Sequence, residues 1–387
     1  MRATKRVGLL TVLTAGALLF GMAAVACGSA TVGGGLETRL SLPLADSTWT
    51  DNEVSGLARL RLEVNAPAGE LARLHAVLQA DEGLGSARDT SAVGLDEAYV
   101  DLVRGDLSVR AGKQRVLWGS AYKLNPTSFV NPVNPADPLG ERVAVPGLLG
   151  GYAWRDVRLN AVWLPEFRPA LSSLPNPLDP STPLKATPPE ATLDNSEYAV
   201  RATKRNLAGF DASASYFHGW EDVPDVRLDP GSGQLKAYYP AVDRVGLDLV
   251  GAVGDAGLWL EGAVSQQPET DRQYHEVIAG ADYTTRQGLY LVGQYYRLSE
   301  GHPLALGEVR DYAMVVGRKT VGDSLTVQVG GVYAFKGGAT AWLPEATYNL
   351  TDGTDLVVGW VGTPQDTTDP LLKQMPSQAY AKLKLSF

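Results

Sequence analysis

Along most of the chain, apolar and polar residues alternate one by one, the period of an extended strand whose two faces meet different surroundings. Leu36, Thr38, Leu40 and Leu42 alternate with Glu37, Arg39 and Ser41, and Leu60, Leu62 and Val64 with Arg59, Arg61 and Glu63. The same rhythm returns at Leu74, Ala76, Leu78 against Arg73, His75, Gln79, at Leu107, Val109, Ala111 against Ser108, Arg110, and at Val157, Leu159, Ala161, Trp163 against Arg158, Asn160. Val245, Leu247 and Leu249 against Arg244 and Asp248 continue it, followed by Leu258, Leu260 and Val264 against Trp259, Glu261 and Ser265. A soluble β-sandwich also alternates, but its inward set is apolar. Here the set opposite the apolar one is repeatedly charged, which fits strands with one face on lipid and one on a polar lumen.

The connections alternate in length. Short links are predicted at 66–69, 104–106, 155–156, 205–208, 254–257, 285–288, 321–323 and 351–354. Longer segments lie between them at 45–53, 82–93, 115–142, 165–194, 221–241, 266–273, 299–310, 336–340 and 364–376. Short turns at one end and long loops at the other are the asymmetry of outer-membrane barrels. The expected fold is therefore an all-β, antiparallel, up-and-down transmembrane barrel of about eighteen strands, with sixteen the neighbouring even count. Residues 143–154, with Pro146 and three glycines, form the weakest of these strands.

Composition agrees: 42 Gly, 16 Tyr and 8 Trp suit turns and strands. The first 27 residues read as a signal peptide, with Arg2, Lys5 and Arg6 ahead of an uncharged stretch ending at Ala24-Val25-Ala26. Residues 28–387 are then one barrel domain, with both termini on the periplasmic side. After the leader no uncharged apolar run reaches the roughly 18 residues of a spanning helix, so a membrane would have to be crossed by strands closed on themselves. Removing the leader takes three cations and no acid, so the net charge of −9 becomes −12. Such an acidic chain is a poor nucleic-acid binder. Cys27 is the only cysteine, which excludes an intramolecular disulfide and a Cys-based metal site and leaves lipidation at Cys27 as an alternative to ordinary cleavage.

The most distinctive text is Asp96-Glu97-Ala98-Tyr99-Val100-Asp101, then Gly112-Lys113-Gln114 with Trp118-Gly119, then Asn131-Pro132-Val133-Asn134-Pro135-Ala136-Asp137-Pro138. This window resembles a porin-like bacterial outer-membrane barrel family of unknown function, which shows a Gly-Lys-Gln strand end, a Trp-Gly pair and an Asn-Pro-rich loop; Asn134 stands where that pattern has Asp. The final Ala379-Tyr380-Ala381-Lys382-Leu383-Lys384-Leu385-Ser386-Phe387 resembles the terminal strand of outer-membrane proteins. That resemblance implies recognition by the barrel-insertion machinery. Read without the family, the window delivers Gln114, Arg115 and Trp118 to a barrel rim before a proline-stiffened loop. Asn131, Asn134 and Asp137 then belong either to a constriction folded into the pore or to a rigid surface loop.

The inward sets are unevenly charged. Arg39, Arg59, Arg61, Arg73, Arg110, Arg158 and Arg201 come from the first half, with Glu37, Glu63, Glu97 and Asp101 among them, whereas Asp248, Glu261, Glu276 and Asp282 come from the second, with Arg244. Closure would set a basic wall against an acidic one, giving either a transverse field on passing solutes or a network of ion pairs. Outward Trp163, Tyr216, Tyr283 and Trp360 suit interfacial girdles in contact with outer-membrane lipids.

The function expected of such a protein in the outer membrane of a diderm bacterium is passive or weakly selective diffusion of small polar solutes. A dedicated channel for a polysaccharide or lipid-like substrate is the alternative. An enzyme is disfavoured: His75, His218, His275 and His302 are scattered, and neither Gly-x-Ser-x-Gly nor His-Glu-x-x-His occurs. No cofactor or metal is called for, and the pattern leaves open whether copies assemble as trimers.

Overall fold

The structure is a computed structural model describing residues 30–44, 54–87, 90–134, 140–174, 176, 181–229, 231, 233–305, 307–375 and 377–387. The leader with Cys27, and Asp137 of the Pro-rich loop, lie outside the described residues. Seven strands come first: β1 (Thr31–Pro43), β2 (Ser55–Ala68), β3 (Ala72–Gly85), β4 (Ser91–Arg104), β5 (Leu107–Gln114), β6 (Val145–Trp154) and β7 (Val157–Leu164). A small hairpin, β8 (Ser173–Leu174) with β9 (Leu184–Lys185), precedes β10 (Glu197–Leu207) and β11 (Phe210–Trp220). A second hairpin, β12 (Asp225–Leu228) with β13 (Leu235–Tyr238), precedes β14 (Ala241–Val253). The rest are β15 (Ala256–Gln267), β16 (Arg272–Thr284), β17 (Leu289–Leu298), β18 (Arg310–Val321), β19 (Leu325–Ala334), β20 (Thr340–Thr351), β21 (Thr354–Val361) and β22 (Gln378–Ser386).

Apart from the two hairpins, each strand pairs antiparallel with its neighbours in the chain, and β22 returns to β1 in register from Gly35↔Ser386 to Pro43↔Gln378. The eighteen-stranded sheet is thus closed. Closure pairs the backbone polar groups that an open edge would leave exposed to hydrocarbon.

Alternation does the rest. On β10, Tyr198, Val200 and Ala202 are exposed on the outside, while Glu197, Ala199 and Arg201 face in. On β14, Val245 and Leu247 lie outside, whereas Val242, Arg244 and Asp248 face in. Trp163, Tyr198, Tyr333, Trp342, Tyr348 and Trp360 add aromatic surface to the outer face, where their polar tips suit the membrane boundary. Among the described residues no helix is long and apolar enough to cross a membrane.

The pattern breaks once with consequence. On β4 the register against β3 shifts: Val77 faces Glu97, but Leu78 faces Leu95. Asp96 is the unpaired residue of this bulge, which re-aims its side chain, and Asp96 and Glu97 both reach the lumen. The weakest predicted strand forms as β6, with Pro146 at its start, where a missing N–H is tolerated.

Candidate pore and constriction loop

Residues 115–134 and 140–144, between β5 and β6, fold into the barrel rather than over its rim. Gln114 closes β5 wholly buried, its Nε2 donating to Gly147 O at 3.0 Å. Asn131 ties the two limbs of the loop together. Its Nδ2 donates to Gln114 O (3.0 Å) and Val143 O (2.8 Å), and its Oδ1 accepts from Val116 N at 2.6 Å. Arg115 anchors the root: Nη2 meets Asp96 Oδ1 at 2.7 Å and Nη1 meets Glu97 Oε2 at 3.0 Å, which is how the bulge on β4 is used. Trp118, Phe129 and Val130 pack with Val162, Leu164, Phe217 and Val242 of the wall, and burial of these side chains holds the loop down.

From there the loop crosses to β15 and β17. Glu261 on β15, fully buried, accepts hydrogen bonds from Ser120 N, Ala121 N (2.6 Å) and Thr127 Oγ1 (2.9 Å). Gln294 on β17 accepts from Tyr122 N at 3.0 Å and donates to Tyr122 O at 3.1 Å. The close approach requires glycine at position 119, where φ is +83° and a Cβ would sit 2.5 Å from Glu261 Oε2.

A second apolar cluster fills the same side of the lumen. Ala121 and Trp259 pack with Ile278, Tyr296 and Tyr312, joined by Ala305 and by Leu371, Leu372 and Met375 from the loops before β18 and β22. Open space survives on the other side, between the loop and the wall of β22, β1, β2, β3 and β4. It comprises cavities of about 730 and 710 Å3 that have Arg61, Arg115, Glu141 and Arg142 in common. The second is lined by seven Lys or Arg residues and four carboxylates, so its wall is cationic.

The arginines singled out from sequence occupy distinct places. Arg59 forks onto Asp81 (2.8 and 2.9 Å) and Arg110 onto Asp101 (2.7 and 2.9 Å), each bidentate. Arg61 pairs with Glu141 at 3.1 Å and lies 3.4 Å from Asp96. Arg39 stands over the ring of Tyr380 at 5.0 Å. Arg73 lines a separate 420 Å3 cavity toward the short-turn end with His75 and Tyr99. Arg158 and Arg201 line a 290 Å3 recess against Trp118, and Arg201 also binds Asp248 at 2.8 Å.

The acids of the second half do not face open water as a wall. Glu261 is covered by the loop, Glu276 accepts from Tyr296 Oη at 2.7 Å and lies 3.5 Å from His302, and Asp282 accepts from Tyr290 Oη at 2.8 Å. Asn134 lines the second cavity. Sequence alternation missed Asp96, because a bulge leaves no mark in the pattern. Lys382 and Lys384, which line the same cavity, were legible in the last strand as the inward partners of Leu383 and Leu385.

Arg142 and Asp222 are among the loop groups whose titration is perturbed. Burial draws the Arg142 guanidinium below the usual arginine range against the attraction of Asp222 and Glu276. Burial pushes the Asp222 carboxyl up to about 6, although Arg244 and Arg142 pull it down.

No family model matches the sequence, and no curated protein sequence does. Among solved structures, OccAB4 of Acinetobacter baumannii superposes with a TM-score of 0.60 at 9% identity, covering 93% of this chain and 97% of that one. OccK11 (OpdR) of Pseudomonas aeruginosa gives 0.59 at 11% identity, covering 93% and 96%, and OccK3 (OpdO) of the same organism 0.55 at 12%, covering 94% and 96%. The chain shares the fold of these structures over nearly its whole length.

Proposed function

We propose that the protein is a porin-like channel of the outer membrane, letting small polar solutes diffuse with weak selectivity along the passage between the inward loop (residues 115–134 and 140–144) and the β22–β4 wall. One observation carries this reading: inside a closed barrel, loops fill one side of the lumen while the other keeps two adjoining cavities lined by charged side chains. Gln114 at the end of β5 and loop residues Arg115, Trp118, Asn131 and Asn134 act as the constriction, and Arg39, Arg59 and Arg61 line the path. A wall of this kind stabilises hydrated solutes crossing a low-dielectric layer.

Residues 1–27 are the export signal in this reading, and 28–387 form the single barrel domain. Outer-membrane lipids surround the apolar belt, and the strand ending at Phe387 is the segment read by the insertion machinery, as its resemblance implies. Refolded protein added to a planar bilayer should give discrete conductance steps. Protein that migrates as a heat-modifiable barrel yet never conducts would overturn the reading.

A further inference from the structure

The two cavities adjoin at a collar of four charged residues, whose members are held very differently. Arg115 is 13% exposed and engaged from the β4 side by Asp96 and Glu97, themselves 16% and 15% exposed. Its Nε donates to Arg142 O at 2.5 Å. Arg142 donates to the carbonyls of Asn131 (3.2 Å) and Asn125 (3.5 Å). These groups are fixed. Glu141 is not packed in this way: its side chain is 66% exposed, and its Oε2 lies 3.1 Å from Arg61 Nη1 and 3.6 Å from Arg115 Nη2.

Glu141 therefore stands, from the cavity side, where an anion bridging the two guanidinia would stand. Arg61 reaches it from β2 and Arg115 from the root of the loop, with Asp96 behind both at 3.4 and 2.7 Å. An exposed carboxylate in such a pair contributes little to stability, whereas two guanidiniums offering donors to one point are a strong oxyanion receptor.

We propose that Arg61 and Arg115 form an oxyanion site at the collar and that Glu141 is its tethered, displaceable occupant. A solute bearing a sulfate, phosphate or carboxylate group enters the site by exchanging with Glu141, which swings toward the open cavity. With Glu141 in place, the three cations of the collar, Arg61, Arg115 and Arg142, are matched by Glu141 together with Asp96 and Glu97 behind Arg115. Neutralising Glu141 leaves one net positive charge and the cavity-side donors free. The built-in acid thus keeps the collar weakly selective even though the wall beyond it is cationic.

Sulfate is the probe. Isothermal titration of the refolded full-length barrel in low-salt detergent should show Glu141→Gln binding sulfate about tenfold or more tighter than the native protein, as expected when a competing charge leaves a charge-assisted site. The double variant Glu141→Gln, Arg61→Gln should lose that gain. Glu37→Gln, which removes an acid lining the same cavity away from the collar, serves as control. Equal affinity in native and Glu141→Gln protein, or an equal gain in the Glu37 variant, overturns the proposal.

The inference rests on the channel reading only for its effect on permeation. In a bilayer, Glu141→Gln should shift the reversal potential toward anions and make the current sensitive to sulfate. Native protein that never conducts, with the titration as expected, would end the channel reading while leaving the site standing. A conducting channel with no difference in the titration would do the reverse.

Discussion

Glu261 on β15 accepts the backbone N–H of Ala121 at 2.6 Å, joining two residues 140 positions apart and fastening the inward loop to the wall it crosses to. Further donors from Ser120 and Thr127 converge on the same carboxylate. Hydrogen bonds to a buried charge are worth about 1.5–3 kcal/mol each. Glu261→Ala should therefore free the loop while the barrel, whose strands pair independently of it, still forms. The expected outcome is a larger or noisier conductance and new protease cleavage between residues 119 and 128. Unchanged conductance and unchanged protection would show that the apolar packing of Trp118, Phe129 and Val130 alone holds the loop.

Replacing Arg59, Arg61 and Arg110 with glutamine should move the reversal potential toward cation selectivity. The bidentate pairs sharpen the expectation, since the change leaves Asp81 and Asp101 in the lumen without their guanidinium partners. Charges at this range act more strongly than loop acids screened within roughly 8 Å at physiological salt. If conductance and reversal potential both stay put in protein that still inserts, these arginines lie off the path.

Asp222, in the loop after β11, gives a pH signature. Its carboxyl is pushed up to about 6 by burial, above its ordinary value of 3.8, so between these limits the folded protein holds a proton that the unfolded chain releases. Stability from this group is present below pH 4 and is lost as pH rises through 6. Asp222→Asn should accordingly raise the temperature of heat-modifiable unfolding at pH 7.5 and leave it nearly unchanged at pH 4. A variant equally stabilised at both values, or destabilised at 7.5, would contradict the buried-acid account.

The segment between β9 and β10 lies at the long-loop end, and Leu193 within it is 79% exposed. An epitope inserted after Pro189 should leave folding intact and be labelled on intact cells. Labelling only after permeabilisation would reverse the orientation.

Much of the barrel was legible because its physics is periodic. The strand count, the short turns near Gly105, Arg155 and Gly254, and the inward arginines all follow from one rule, repeated along the chain. The loop was legible as a candidate because prolines and asparagines marked it. Its docking was not: Glu261 reads as one more inward acid, and nothing near it announces that Ser120 and Ala121 will arrive from 140 residues away. The same holds for Glu276, which meets His302 and Tyr296. Alternation says which wall a side chain faces but not what fills the space before it. Asp96 shows the complementary limit, since a one-residue bulge turns an outward position inward and places two acids on Arg115.

The pairing of β1 with β22 sets when this protein can exist as a sealed object. Gly34 exchanges backbone hydrogen bonds with Phe387, and a Cβ at Gly34 would lie 2.6 Å from Arg61 O and 2.8 Å from the Phe387 ring. The first strand thus waits for the last, across nearly the whole polypeptide, a separation that makes such a contact slow to form. Until the final residues arrive, β1 is an open edge able to recruit any strand it meets. Gly34→Ala, which crowds the seam and the facing β2 backbone at Arg61, should therefore lengthen the time the chain spends unsealed. This should appear as a higher yield of aggregate per chain delivered, and a variant that seals at the native rate would mean that the seam has room to shift.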